Sequence, residues 1–299
     1  MTEHISTHQA EEDARNEAIF IYVNGRILPK AEAVVSVYDA GFMLGDGVWE
    51  GIRLYSGHWA FLDEHIDRLF EAAKAIDLDI AMTPDQVKSA LSETQKANGM
   101  VSDAHARLMV TRGVKTRPFQ HPKLSQRGPT VAIIMEHSKP KLPRPIRLAT
   151  VPHMRGLPMT QDPKLNSHSK LNCILACIAA EKAGADEALM LDVHGFVNTT
   201  NACNFFIVRK GQVWTSTGDY CMNGITRGKV IQLCHDNGIP VFERNFSLVD
   251  VYSAEEAFLT GTFGAQTPVG TIDGRRIGTG QMGPVTERLR SLYKALVAA

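Results

Sequence analysis

Apolar and polar positions along this chain repeat with two periods, one suited to strands and one to helices. An apolar, β-branched and aromatic run at 18–23 ends in Asn24-Gly25, which predicts a strand entering a tight hairpin. A second strand is predicted over 32–38. Ile66, Leu69, Phe70 and Ala73 recur at helical spacing and predict a helix over 61–76. Pro84 opens a second helix over 85–97, at the first-turn position that proline favours. Strands at 107–111 and 130–135 complete an α+β first half. The second half resumes with a strand at 146–151. A helix follows at 171–183, with Leu171, Ile174, Leu175 and Ile178 on one stripe. Short strands are predicted at 187–191, 204–208, 213–215, 240–243, 257–260 and 267–271, and helices at 226–236 and 283–297. The Lys-Pro-Lys-Leu-Pro-Arg-Pro stretch at 139–145 reads as a linker. The expected division is a flexible tail over 1–17, a smaller α/β domain over 18–138, a linker region over 139–152 and a larger domain over 153–299.

A chain of 299 residues is longer than one ordinary core needs, which fits two domains. The 32 lysines and arginines balance 32 acids, so neither nucleic acid nor an anionic membrane is expected as the main partner. No apolar run approaches a membrane span, and the polar, acidic start of the chain resembles no secretion signal. A cytoplasmic setting follows. The five cysteines form no C-x-x-C pair and read as free thiols in a reducing compartment. No His, Cys or acid spacing suggests a metal site, and no G-x-S-x-G marks an acyl-transfer nucleophile.

Three segments could hold an anion. Gly224-Ile225-Thr226-Arg227 opens a helix, where backbone N–H groups and a hydroxyl can grip a phosphate. The same residues also make a plain helix cap. Thr260-Gly261-Thr262 follows an apolar strand and reads as a second cradle or as a tight turn. Arg68 on the 61–76 helix reads as a phosphate partner or as a solvated charge.

Five blocks in order change that balance: 35–53 (VSVYDAGFMLGDGVWEGIR), 64–69 (EHIDRL), 184–192 (GADEALMLD), 223–227 (NGITR) and 260–269 (TGTFGAQTPV). Over roughly residues 19–296 the chain resembles the fold-type IV pyridoxal-phosphate (PLP) enzymes. These are the class IV aminotransferase family, holding branched-chain and D-amino acid aminotransferases. The resemblance implies a two-domain α+β fold, a homodimer, PLP as cofactor, and transfer of an amino group between an amino acid and a 2-oxo acid. It implies that the larger domain binds the cofactor. It also implies that Arg68, Ile225, Thr226, Gly261 and Thr262 hold the phosphate and that Met222 packs on the ring. Trp49 takes the place of a pocket tyrosine. Arg117, in a loop like that of D-amino acid aminotransferases, takes the place of a carboxylate-binding arginine, with Phe119 where they have histidine.

The chain departs from the family at two positions. Asn166 aligns with the lysine that forms the Schiff base, and Thr199 with the glutamate that faces the pyridine nitrogen. Lys170 is the favoured substitute lysine, and Lys164 the other candidate. A helical 166–170 would advance Lys170 by only ~6 Å with almost a full turn, keeping it on nearly the same face. The alternative is that Lys170 is a solvated helix residue. Thr199 can hydrogen-bond the ring nitrogen but cannot compensate its charge, so the ring becomes a weaker electron sink. His168 is a possible proton relay beside Lys170. The competing expectations are a PLP-dependent lyase of the aminodeoxychorismate type and a catalytically silent binding protein of the same fold.

Overall fold

Asn24 and Gly25 both take positive φ (47° and 82°), the conformation a two-residue hairpin turn requires. They join β1 (Phe20–Val23) directly to β2 (Arg26–Pro29), with Val23 opposite Arg26. This corrects the strand expected over 32–38. So short a turn makes the return strand begin at Arg26, and the chain has left the sheet before Val34, Val35 and Val37, all exposed.

The computed structural model describes residue 7 and residues 10–139 and 144–298. These divide into two compact units: Ala10–Lys139 with Leu165–Lys170, and the remainder. Part of the expected tail and of the expected linker lies outside the described residues, at 1–6, 8–9 and 140–143.

The first unit continues with α1 (Ala40–Leu44), β3 (Gly47–Tyr55), β4 (His58–Trp59), α2 (Leu62–Ala75), α3 (Pro84–Ala97), β5 (Ala104–Thr111) and β6 (Thr130–His137). Its antiparallel sheet runs β2-β1-β6-β5-β3-β4. Val48, Ile52, Leu54, Leu108, Val110 and Ile133 pack against Ile66 and Leu69 of α2 and Val87 and Leu91 of α3. Thr83 and Gln86 start α3 with a reciprocal capping box.

The second unit holds β7 (Ile146–Thr150), α4 (Pro158–Gln161), α5 (Leu171–Lys182), β8 (Glu187–Leu191), β9 (Val197–Thr200), β10 (Asn204–Arg209), β11 (Gln212–Thr215), α6 (Ile225–Asp236), β12 (Val241–Glu243), α7 (Leu248–Tyr252), β13 (Glu256–Gly261), β14 (Ala265–Ile272), β15 (Arg275–Arg276) and α8 (Pro284–Ala298). The path β10-β13-β14-β7-β8-β9 returns to β10, closing a six-stranded barrel. Leu148, Leu189, Val197, Phe205, Ile207, Leu259 and Val269 fill it. β11 and β12 extend the sheet beyond β10. α5 meets its sheet through Ala176 and Ala180, small enough for close approach. Its aliphatic stripe faces outward: Leu171 is 65 % exposed and Ile174 52 %.

Candidate functional site

In the first unit the site grows from the Gly47–Trp49 edge of β3. The Trp49 amide donates to the Asn166 carbonyl (2.9 Å), the His168 amide donates to the Gly47 carbonyl (3.0 Å), and Val48 bridges Ser167. Trp49 Nε1 adds a bond to the Ser167 carbonyl (3.2 Å). The segment is therefore laid out along a strand edge, and helix begins only at Leu171. This corrects the helical 166–170 on which Lys170 was expected to stay in the face of Asn166. The backbone groups a helix would use internally are bonded to β3 instead. Four extended residues span up to ~13 Å rather than ~6 Å. Asn166 is buried, Lys170 half-buried and Lys164 exposed in the other unit.

Lys170 stands over Trp49, its Nζ 5.8 Å from the ring centroid. The Arg107 guanidinium stacks on the same ring at 3.8 Å. Burial lowers the affinity of Arg107 for its proton. Burial, and then Arg107, hold the His168 pKa down at about 4, so its imidazole is neutral at ordinary pH. Its Nε2 is buried without a hydrogen-bond partner among the described residues. Only glycine fits at 47, where a Cβ would lie 2.6 Å from His168 Cδ2.

Arg68 is not on a solvated face. Its Nε donates to Glu50 Oε1 (2.8 Å) and its Nη2 to Oε2 (2.8 Å), a bidentate fork. His65 Nδ1 lies 2.6 Å from the same Oε2. Glu50 is 1 % exposed. Burial pushes its pKa up, but the His65 and Arg68 bonds outweigh this and hold it below the usual carboxylate value. Arg117 lies on an exposed loop.

In the second unit a polar row crosses the outer face of the barrel. Thr199 stands opposite Asn204, Asn204 opposite Thr260, and Thr260 opposite Gln266. Directly opposed antiparallel residues share a face. α6 packs on β13, and α8 on β13 and β14. Asn204 Nδ2 donates to the Met222 carbonyl (2.9 Å). A Cβ on Gly224 would lie 2.3 Å from Asn204 Oδ1, so the start of α6 presses on this residue. Asn204 thereby gathers Met222 and the α6 start around one amide, with Thr199 opposite it in the sheet.

α6 begins at Ile225 with Gly224 as its cap and no side-chain cap bond, which leaves its first N–H groups to a ligand or solvent. The Thr226 hydroxyl lies 3.4 Å from that of Tyr293. Arg227 is structural: its Nη2 donates to the Ser216 carbonyl (2.7 Å) and to Glu243 Oε2 (2.6 Å). Thr262 is half-buried in the turn after Gly261 that joins β13 to β14. Thr260 Oγ1 and both polar atoms of the Gln266 amide are buried without a hydrogen-bond partner among the described residues. The Thr199 hydroxyl donates its one proton to the Cys203 carbonyl (2.6 Å), so it can offer a ligand only lone pairs.

Glu50, His65, Arg107, Asn204 and Gln266 were not singled out from sequence, whereas Thr260 was read there as part of a cradle or a tight turn. Glu50 and Arg107 carried a signal, each being a charged residue inside a strand of apolar neighbours.

The sequence profile described as "Amino-transferase class IV" matches residues 47–272. "Branched-chain-amino-acid aminotransferase-like protein 2" of Arabidopsis thaliana is 40 % identical over 94 % of this chain but 51 % of its own length, so the chain spans about half of that relative. D-alanine aminotransferase of Bacillus licheniformis is 31 % identical over 91 % of this chain and 94 % of its own. The solved structure of the T.th. branched-chain amino acid aminotransferase complexed with N-(5'-phosphopyridoxyl)-L-glutamate matches with a TM-score of 0.88. It is 33 % identical, over 94 % of each chain.

Proposed function

We propose that this chain, which belongs to the class IV aminotransferase family, is a PLP-dependent aminotransferase moving an amino group between an amino acid of branched-chain or D-amino acid type and a 2-oxo acid. The observation that carries the reading is the open start of α6, with Thr226 and the Thr260–Thr262 turn on the same unit: the uncapped N–H groups and hydroxyls suit a phosphate monoester. Ile225, Thr226, Gly261 and Thr262 hold that phosphate in this reading. Met222 packs on the ring and Thr199 faces its nitrogen.

When bound, the cofactor supplies an electrophilic carbonyl and an electron-withdrawing ring that acidifies the α-hydrogen of an amino acid. Lys170 is the attachment point, and its Nζ carries the proton. Trp49 walls the pocket beside it. Arg107 and Arg117 both offer a fork to a substrate carboxylate, and the stacked, partly desolvated Arg107 is the better prepared of the two. Thr199 brings no negative charge to the ring nitrogen, which favours slow turnover.

The reading extends to a homodimer in the cytoplasm. The outward stripe of α5 offers an apolar contact. The five cysteines are unpaired, as in a reducing compartment. No helix among the described residues is long and apolar enough to cross a membrane.

A second reading, a binding protein without turnover, draws on the buried Asn166 at the aligned lysine position and on the committed Thr199 proton. Absorption spectra with PLP, borohydride reduction and peptide mapping separate the two. Label on Lys170, together with 2-oxo acid release from an amino acid, supports the aminotransferase. Label on Lys164 keeps the enzyme and moves the lysine. The absence of any reducible adduct rejects the aminotransferase in favour of the silent protein.

A further inference from the structure

Thr199 and Thr200 are neighbours on β9 and face opposite sides of the barrel wall. Thr199 pairs with Met190, which packs with Ala176 and Ala180 of α5, whereas Thr200 pairs with Leu189 of the barrel core. Arg155, in the loop after β7, is tied to this wall within the same unit. Its backbone N–H donates to the Leu191 carbonyl (2.9 Å), its Nη2 to the Thr200 carbonyl (2.6 Å) and its Nη1 to Cys173 Sγ (3.4 Å). Its Nε is buried without a hydrogen-bond partner among the described residues. A guanidinium keeps its charge at any working pH, yet none of these partners is a carboxylate.

The other charges of this region are matched. Arg227 donates to Glu243 (2.6 Å). The Glu187 carboxylate is buried on the interior side of β9, where it accepts from the Thr7 N–H (2.9 Å) and lies 3.3 Å from the Thr200 hydroxyl. Thr199 is on the opposite side. The charge of Arg155 is felt beyond its own bonds: burial pushes the Cys221 thiol up, and Arg227 and Arg155 draw it back. Cys221 precedes Met222 and lies 3.6 Å from Nδ2 of Asn204, the residue opposite Thr199. Thr199 is thus flanked by an unmatched cation, with no carboxylate on its own side to offset it among the described residues. We propose that Arg155 keeps the pyridine nitrogen of the bound cofactor unprotonated near neutral pH. The inference rests on the proposed placement of that nitrogen at Thr199. A cation disfavours a second positive charge beside it. Against this, Thr199 sets one neutral acceptor, and a neutral hydrogen bond is about half as strong as a charge-assisted one. An unprotonated ring withdraws electrons weakly, so a charge that is present, as well as an acid that is missing, tunes the site away from a strong electron sink.

The test is nitrogen-15 NMR of the full chain loaded with PLP labelled at the ring nitrogen, followed across a pH series. The wild-type ring is expected to be unprotonated near pH 7. Arg155→Met is expected to move its titration upward by about one pH unit or more, and Arg155→Lys, which keeps the charge, to stay with the wild type. Should Arg155→Met not fold, Arg155→Gln removes the charge and retains a donor for the Thr200 carbonyl. A protonated wild-type nitrogen, or a titration unmoved in the neutral variants, overturns this inference alone. Equal shifts in Arg155→Met and Arg155→Lys also overturn it, since they point to packing and not to charge. A ring signal that stays that of free PLP in the wild type overturns the cofactor site and this inference with it.

Discussion

His168 enters the folded protein neutral, because burial and Arg107 hold its pKa at about 4. An unfolded histidine titrates near its ordinary value of 6.5. Between these values the unfolded chain binds a proton that the folded chain refuses, so stability rises with pH across the window and is lost as pH falls through it. Urea unfolding at pH 5 and pH 7 is expected to show this loss, and His168→Gln to flatten it; equal slopes in both proteins would contradict the assignment. The two arginine forks make a second residue-scale prediction. Arg107→Met is expected to raise KM for the amino acid about tenfold or more, the weight of a lost charge-assisted pair. Arg117→Met, in an exposed loop, is expected to leave KM nearly unchanged. The reverse pattern in steady-state kinetics would return the carboxylate to Arg117. Residue chemistry of this kind was partly legible. The family resemblance implied that Arg68, Thr226 and Thr262 hold a phosphate, but nothing in sequence tied Arg68 to Glu50, 18 positions away.

At the scale of elements, close backbone approach decides where side chains are forbidden. Gly113 takes φ +82°, and a Cβ there would lie 1.9 Å from the Gly128 carbonyl oxygen. That neighbour is backbone and cannot swing away. Gly113→Ala is expected to destabilise the protein by roughly 2 kcal/mol or more, read as a lower urea midpoint with an unchanged slope; an unaltered midpoint would mean the loop is not held as described. The helices and the alternating strands were legible because one face is buried. β5 alternates strictly between buried and half-buried positions. β3 was not predicted, since residues 50–54 are buried on both faces and include Glu50 and Arg53. Polar β9, Val-Asn-Thr-Thr, escaped for the same reason: it is wholly buried and shows no period of two.

On the whole-molecule scale, the stripe read on α5 was real as a pattern, yet it faces away from its own barrel. A second copy of the chain is the proposed cover. Leu175→Glu with Ile178→Glu is expected to shift the sedimentation velocity profile from dimer to monomer, and a retained dimer would place the contact elsewhere. The sequence by itself determined that this is a class IV aminotransferase chain, where most of its helices and strands begin and end, and which residue types could grip a phosphate. Those properties depend on local periodicity and on short blocks of fixed wording. Tertiary structure alone decided that 166–170 lies along β3 instead of starting a helix, that Arg68 is clamped by Glu50, and that Thr199, Asn204, Thr260 and Gln266 form one row. Each of these depends on backbone or side-chain partners far away in the chain, and local propensity carries no record of them.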